Sequence, residues 1–219
     1  MEGFYPIHVK VSSRKVLIVG GGEVALRKVK NLLSYGAQIL VVSPRVLSEI
    51  EQLSVERKVT VFQEKYSSNF LEGCCLVFGA TDDREVNKRV AVDAQKAGIP
   101  VNIADNPSLC TFLVPAVLKR GSLTVSVSTE GKSPSLSGRI KRNLENSFGE
   151  EFSLFLDYLG EVRKEILQEI KDPAVRKKIF IEISDPEMVK LVQGGDLSRL
   201  KAKCREIINK YQGQDMEGV

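Results

Sequence analysis

The chain has 219 residues, 42% hydrophobic and 27% charged, proportions that sustain a folded core and exclude a wholly disordered or fibrous protein. Its formal net charge is +4, spread as 14 basic and 12 acidic residues in 1–112 against 18 and 16 in 113–219; without a basic tail, nucleic acid is not an expected partner. The longest apolar runs span about five residues, against the ~20 a membrane helix needs, and the opening MEGFYPIHVK has no leader-like pattern, so a cytoplasmic chain with no membrane partner is expected.

In chain order, Lys15–Val19 (KVLIV) reads as a buried strand, followed by Gly20-Gly21-Gly22 and a helix over Glu23–Tyr35. Val24, Leu26, Val29, Leu32 and Leu33 fall at helical spacing there, and Gly36 sits where a C-cap belongs. Gln38–Val42 is the second strand, Val46–Leu53 a short helix and Val59–Gln63 the third strand. Cys75–Ala80 is the fourth strand, Asp83–Ala97 a helix closed by Gly98, and Val101–Ile103 the fifth strand. Strand and helix in alternation predict a parallel sheet covered on both faces.

Beyond Asn106-Pro107 the pattern changes. Ala116–Arg120 and Leu123–Ser128 read as paired strands joined at Gly121-Ser122, with Leu123, Val125 and Val127 on one face. A turn at Gly131–Pro134 leads into a basic helix over Ser135–Leu144. Phe152, Phe155, Leu156, Leu159, Val162, Ile166, Leu167 and Ile170 predict one apolar helical stripe. Asp172-Pro173 and Asp185-Pro186 start further short helices, and Leu197–Tyr211 closes the chain before a fraying end at 212–219.

Gly20-Gly21-Gly22-Glu23-Val24-Ala25 fits G-x-G-x-x-G/A between a strand and a helix. Gly20 serves the tight exit, Gly22 admits a pyrophosphate, and Ala25 packs the helix on the sheet. The helix start offers free N–H groups to phosphate. The acid expected ~20 residues on is absent, and the chain reads Ser43-Pro44-Arg45. Ser43 can donate to a ribose, while Arg45 is either a 2′-phosphate partner favouring NADP or a solvated loop residue. Thr81, just past the fourth strand, can bond a ribose or the nicotinamide end. Asp82 and Asp83 read as a helix cap and a first-turn acid. Asp105, past the fifth strand, is a turn former by type and, by position, a carboxylate able to take a proton. Four cysteines (Cys74, Cys75, Cys110, Cys204) without CxxC spacing and one histidine, His8, point to reduced thiols and no protein metal cage.

Several of these stretches coincide in one family. Tyr5-Pro6-Ile7, the Val19–Ala25 turn with Arg27-Lys28, and Ala80-Thr81-Asp82-Asp83 with Val86-Asn87 resemble the precorrin-2 dehydrogenase / sirohydrochlorin ferrochelatase family, also the N-terminal module of siroheme synthases. Asn102, Ala104-Asp105, Phe112, Pro115 and Val127-Ser128-Thr129-Glu130-Gly131-Lys132-Ser133-Pro134 extend the resemblance over about 5–150. It implies an α/β fold: a Rossmann-type NAD-binding domain over 1–112, a small central α+β dimerisation region and substrate cleft over 113–149, and a helical domain over 150–219.

It also implies NAD as cofactor, lined by Gly20, Gly22, Glu23, Val24, Ser43, Pro44, Arg45 and Thr81, and Asp105 as the catalytic proton acceptor when precorrin-2 becomes sirohydrochlorin. The anionic tetrapyrrole would meet Asn102, Ser128, Thr129 and Lys132, with Arg139 and Arg142 as further candidate partners for its carboxylates, in a homodimer. Thr129 stands where some members carry serine, and keeps the hydroxyl. Two other readings stay open: a second activity inserting ferrous ion, and a non-catalytic dinucleotide-sensing module.

Overall fold

A computed structural model describes residues 3–192 and 195–215, and the chain divides into two compact units. The first holds residues up to 114 together with 130–132, the second 115–129 and 133 onward. Sequence analysis draws three segments; contacts instead group the residues of 115–129 with the helices of the second unit, and detach the Glu130–Lys132 turn from its neighbours.

The first unit is a five-stranded parallel sheet, β1 (Lys15–Val19), β2 (Gln38–Val42), β3 (Val59–Phe62), β4 (Cys74–Gly79) and β5 (Val101–Ile103), in the order β3-β2-β1-β4-β5. Val16–Val19 and Ile39–Val42 are buried without interruption, as strands covered on both faces must be. α1 (Glu23–Leu33) and α2 (Ser48–Val55) contribute Ala25, Leu26, Val29, Leu32 and Ile50 to the core that contains Val16, Ile18, Ile39 and Val41. Residues of α3 (Arg84–Lys96), namely Val90, Ala91 and Ala94, join a second core with Leu17, Val19, Leu40 and Val42. Alternate residues of β1 and β2 therefore enter opposite layers, which makes this a three-layer α/β sandwich.

Several boundaries differ from expectation by a few residues. α1 ends at Leu33 with Ser34 as its cap, and Gly36 (φ +71) turns the chain after it. The Val46–Leu53 helix starts at Ser48 and runs to Val55. Asp83, not Asp82, caps α3, accepting from the N–H groups of Glu85 and Val86. A 3-10 turn at Ser68–Leu71 has no apolar periodicity to announce it.

In the second unit β6 (Ala116–Arg120) and β7 (Leu123–Val127) pair antiparallel, Arg120 opposite Leu123. α4 (Pro134–Ser147) runs three residues past the expected end, and α5 (Glu151–Glu169), α6 (Pro173–Ile183) and α7 (Ser198–Asp215) follow. Phe155, Val162, Ile166, Ile170, Val175, Ile179, Ile183, Leu200, Cys204 and Ile207 form their shared core. Leu167, expected on the α5 stripe, is 45% exposed; at 100° per residue it lies off the face of Phe155, Val162 and Ile166. Among the described residues no helix is long and apolar enough to cross a membrane.

Candidate functional site

The strand order reverses between β1 and β4, and ligands of open parallel sheets bind beyond the strand ends at such a point. Gly20, at φ +126, leaves β1 there, its N–H donating to Val42 O at 2.9 Å. A Cβ on Gly20 would stand 2.2 Å from Ala80 O, the first residue beyond β4. A Cβ on Gly21 would stand 2.1 Å from Arg45 O, while Gly21 O accepts from Leu47 N–H at 2.9 Å. The glycine turn thus interlocks with the loops after β4 and β2. Gly22 differs: an added Cβ would meet nothing within 4 Å. It is the N-cap of α1 without any side-chain cap, so the N–H groups of the first turn are not occupied by a capping side chain.

Ser43, Pro44 and Arg45 follow β2 at the same edge, Pro44 and Arg45 exposed. The Ser43 hydroxyl donates to Arg45 O at 2.7 Å. Its single proton closes that loop, so it is not free to donate to a ribose as expected; its lone pairs remain. The Thr81 hydroxyl is engaged likewise. Its Oγ1 accepts from Asp83 N–H and lies 3.0 Å from Asp83 O, a local turn that occupies the hydroxyl. Glu23 is exposed and Val24 half-buried at the helix start.

Sequence reasoning passed over the side chain that fixes this edge. Asn87 on α3 is buried, donates to Thr81 O at 2.8 Å and accepts from Thr81 N–H at 3.3 Å. The signal was available: Asn87, Val90, Ala91 and Ala94 are the buried residues of α3, and they recur at i, i+3, i+4, i+7. An amide opening an otherwise apolar stripe needs a partner.

Asp105 lies on the loop after β5. It is exposed and has φ +58, a left-handed conformation that Asp tolerates better than most residues but that still costs energy. No described residue bonds its carboxylate. The loop is closed from behind. Ala104 N–H donates to Gly79 O (2.8 Å), Thr111 N–H to Val101 O (2.8 Å), and Val101 N–H to Thr111 Oγ1 (2.8 Å). Asn102 was expected to meet substrate. It is instead 9% exposed and donates to Phe112 O at 3.1 Å, so its amide holds the returning segment. Phe112 packs edge-on to Phe78, and the Lys28 ammonium lies 5.2 Å above the Phe78 ring. Burial, with Arg27 beside it, pulls the Lys28 pKa down.

Lys132 is 83% exposed and pairs loosely with Glu130 at 3.8 Å. Both belong to the first unit, where the Cβ position of Gly131 lies 4.0 Å from Pro107 Cγ. Ser128 is exposed, Thr129 Oγ1 accepts from Ser133 N–H at 3.0 Å, and Arg139 and Arg142 are exposed on α4. These four belong to the second unit.

Residues 7–116 match the family described as "Putative NAD(P)-binding", and residues 120–147 that described as "Sirohaem biosynthesis protein central". A solved structure, "SirC, precorrin-2 dehydrogenase", superposes on 96% of this chain and 100% of its own at TM-score 0.73 and 30% identity. The chain belongs to the precorrin-2 dehydrogenase family. A siroheme synthase of Nitrosomonas europaea is 38% identical over 166 residues, 75% of this chain and 35% of that protein. One from Pseudoalteromonas translucida is 32% identical over 206 residues, 94% and 44% respectively. The chain therefore spans less than half the length of these curated relatives.

The glycine turn fits the dinucleotide that the family binds. Gly20 and Gly21 are forced by contact with backbone, whereas at Gly22 there is room beside uncapped N–H groups, the combination that a diphosphate requires.

Proposed function

We propose that the chain catalyses the NAD-dependent dehydrogenation of precorrin-2 to sirohydrochlorin, with Asp105 as the proton acceptor. The carrying observation is Asp105: an exposed carboxylate, unbonded by any described residue, in left-handed backbone beside the strand edge that carries the glycine turn. Kinship with a precorrin-2 dehydrogenase over nearly the whole chain supports the substrate.

Gly20, Gly22, Glu23, Val24, Ser43, Pro44, Arg45 and Thr81 would hold NAD, the N–H groups of the α1 start binding its diphosphate. Bound NAD supplies a two-electron oxidant. The macrocycle would lose one hydrogen with its electron pair as hydride to that oxidant and a second as a proton, which Asp105 takes and, being exposed, passes to water. The Asp83 cap and the Asn87 clamp fix the start of α3 and the Thr81 loop beside the cofactor edge. Lys132 would meet a carboxylate of the tetrapyrrole by exchanging its loose partner Glu130 for a substrate oxygen. Asn102 contributes by fixing the loop rather than by touching substrate.

We also infer a cytoplasmic homodimer. Leu136 and Ile140 of α4 are exposed, and Val117, Val125 and Val127 of the two-stranded sheet are only half-buried. Exposed apolar side chains on a helix and hairpin that pack together mark an interaction surface, and sedimentation of a monomer would remove this inference.

Anaerobic incubation with precorrin-2 and NAD or NADP, following reduced nicotinamide and the macrocycle spectrum together, tests the reaction. NAD-dependent formation of both products is expected, with Asp105→Ala losing about a hundredfold or more in turnover while binding NAD normally. Turnover unchanged in that variant would count against the carboxylate's role. The siroheme synthase relatives favour a further arm with sirohydrochlorin and ferrous ion, where a rate above the uncatalysed one establishes metal insertion.

A further inference from the structure

Asp105 occupies a conformation that a short loop does not hold unaided, and the chain around it shows what holds it. The Cys110 sulfur is the meeting point. It accepts from Ile103 N–H at 3.2 Å and from the Asn102 amide at 3.6 Å. It lies 3.4 Å from Ile103 O and 3.3 Å from Asn106 O, either of which can take its proton. Ile103 and Asn106 flank the turn that carries Asp105, and Asn106 N–H reaches Ile103 O at only 3.4 Å. The turn's own hydrogen bond is long, so the sulfur behind it ties both ends to the returning segment. The same segment is pinned at Thr111 and, through Asn102, at Phe112.

Resting on the reading of Asp105 as proton acceptor, we propose that Cys110 is a positioning residue. With the Asn102 amide it forms a clasp that holds the 103–106 turn and so aims the Asp105 carboxylate. A thiol suits this place because it accepts from N–H groups and donates to a carbonyl at once. It must then stay protonated. Burial pushes the Cys110 thiol up, against the opposing pull of the Ile103 N–H and the Lys28 ammonium. Serine has the same donor and acceptor on a shorter bond, alanine has neither, and valine fills the volume without either.

The test compares the full chain with C110A, C110S, C110V and D105A, using precorrin-2 and NAD anaerobically. Wild-type thermal unfolding identifies the variants that fold. C110A and C110V lower kcat about tenfold, as a misaimed catalytic group does, and leave the NAD Kd unchanged. C110S recovers most of the loss. The Ile103 amide, which donates to the sulfur, exchanges with solvent faster in C110A and C110V than in C110S. Where C110A unfolds, C110V carries the comparison. A dead D105A beside wild-type kcat in C110A or C110V overturns the clasp alone, as does C110S no better than C110V or an unchanged Ile103 exchange rate. Wild-type turnover in D105A overturns the proton-acceptor reading and the clasp with it.

Discussion

In the sheet unit, Val16–Val19 and Ile39–Val42 are buried residue after residue, whereas the 19-residue helix α5 of the second unit buries only Phe155, Val162 and Ile166. The difference follows from geometry. A central parallel strand has no solvent face, so its apolar run stops only where the strand stops. A helix on a core always has a solvent face, and polar residues are spread along its whole length. In the sheet unit Gly20–Gly22, Ser43, Thr81 and Asp105 therefore gather at one edge, following β1, β2, β4 and β5.

The largest expected effect sharpens this contrast within the edge itself. Gly20→Ala meets Ala80 O at 2.2 Å in backbone at φ +126, so it loses roughly 3 kcal/mol or more of stability in the first unit. Gly22→Val meets nothing within 4 Å. It keeps the unfolding midpoint within about 2 °C, yet weakens NAD binding by roughly a hundredfold, because a side chain then stands where the diphosphate must approach. Calorimetry and titration of both variants check the pair. A Gly22→Val protein that binds NAD normally would mean that the turn is glycine-rich for geometry alone.

Why were some parts legible and others not? The five strands were readable because their apolar runs are uninterrupted, and the glycine turn because phosphate chemistry restricts residue type there. The end of α4 lies in polar sequence, Asn143, Glu145, Asn146 and Ser147 giving no periodic signal of where winding stops. The in-chain bonds of Ser43, Thr81 and Asn102 were hidden for a different reason. Each has a side chain suited to a ligand, and only the fold shows that its donor is already engaged within the chain. Cys110 was read as a plain thiol, since nothing in its spacing says that the chain returns beside β5.

The second prediction concerns the other unit. Ile179 is fully buried among the helices, and Ile179→Ala removes about 2–5 kcal/mol. Because the change lies in the core of the second unit, NAD affinity of the folded protein is expected to be unchanged. A parallel loss of NAD affinity, measured by titration well below the midpoint, would show that the helical core supports the cofactor edge.

A graded effect in the same core follows from Cys204, which is fully buried and whose thiol burial pushes up to about 11 from an ordinary 9.0. The folded state holds this proton more tightly than the unfolded state. Its stabilising contribution is complete below pH about 9 and is lost as pH rises toward 11. Cys204→Ala flattens that alkaline decline, read as the unfolding midpoint against pH. An identical slope in the variant would assign the decline to other groups.

The smallest expected effects place matched caps in the two units. Asp83 accepts from Glu85 N–H at 2.9 Å and Val86 N–H at 3.1 Å, and Asp172 from Ala174 N–H at 2.7 Å. Replacing either by Ala removes an N-cap and about 1 kcal/mol of stability. The two changes differ in reach. Asp172 starts α6, away from any glycine turn, so its loss is a stability effect only. Asp83 also caps the helix that carries Asn87, whose amide holds the Thr81 loop at 2.8 Å; the bonds of the Thr81 hydroxyl reach the Asp83 backbone and survive the substitution. Asp83→Ala therefore weakens NAD binding a few-fold on top of the same stability loss, and titration of the two variants at equal fraction folded separates the cap from the cofactor edge. Equal NAD affinities would reduce Asp83 to a cap like the other.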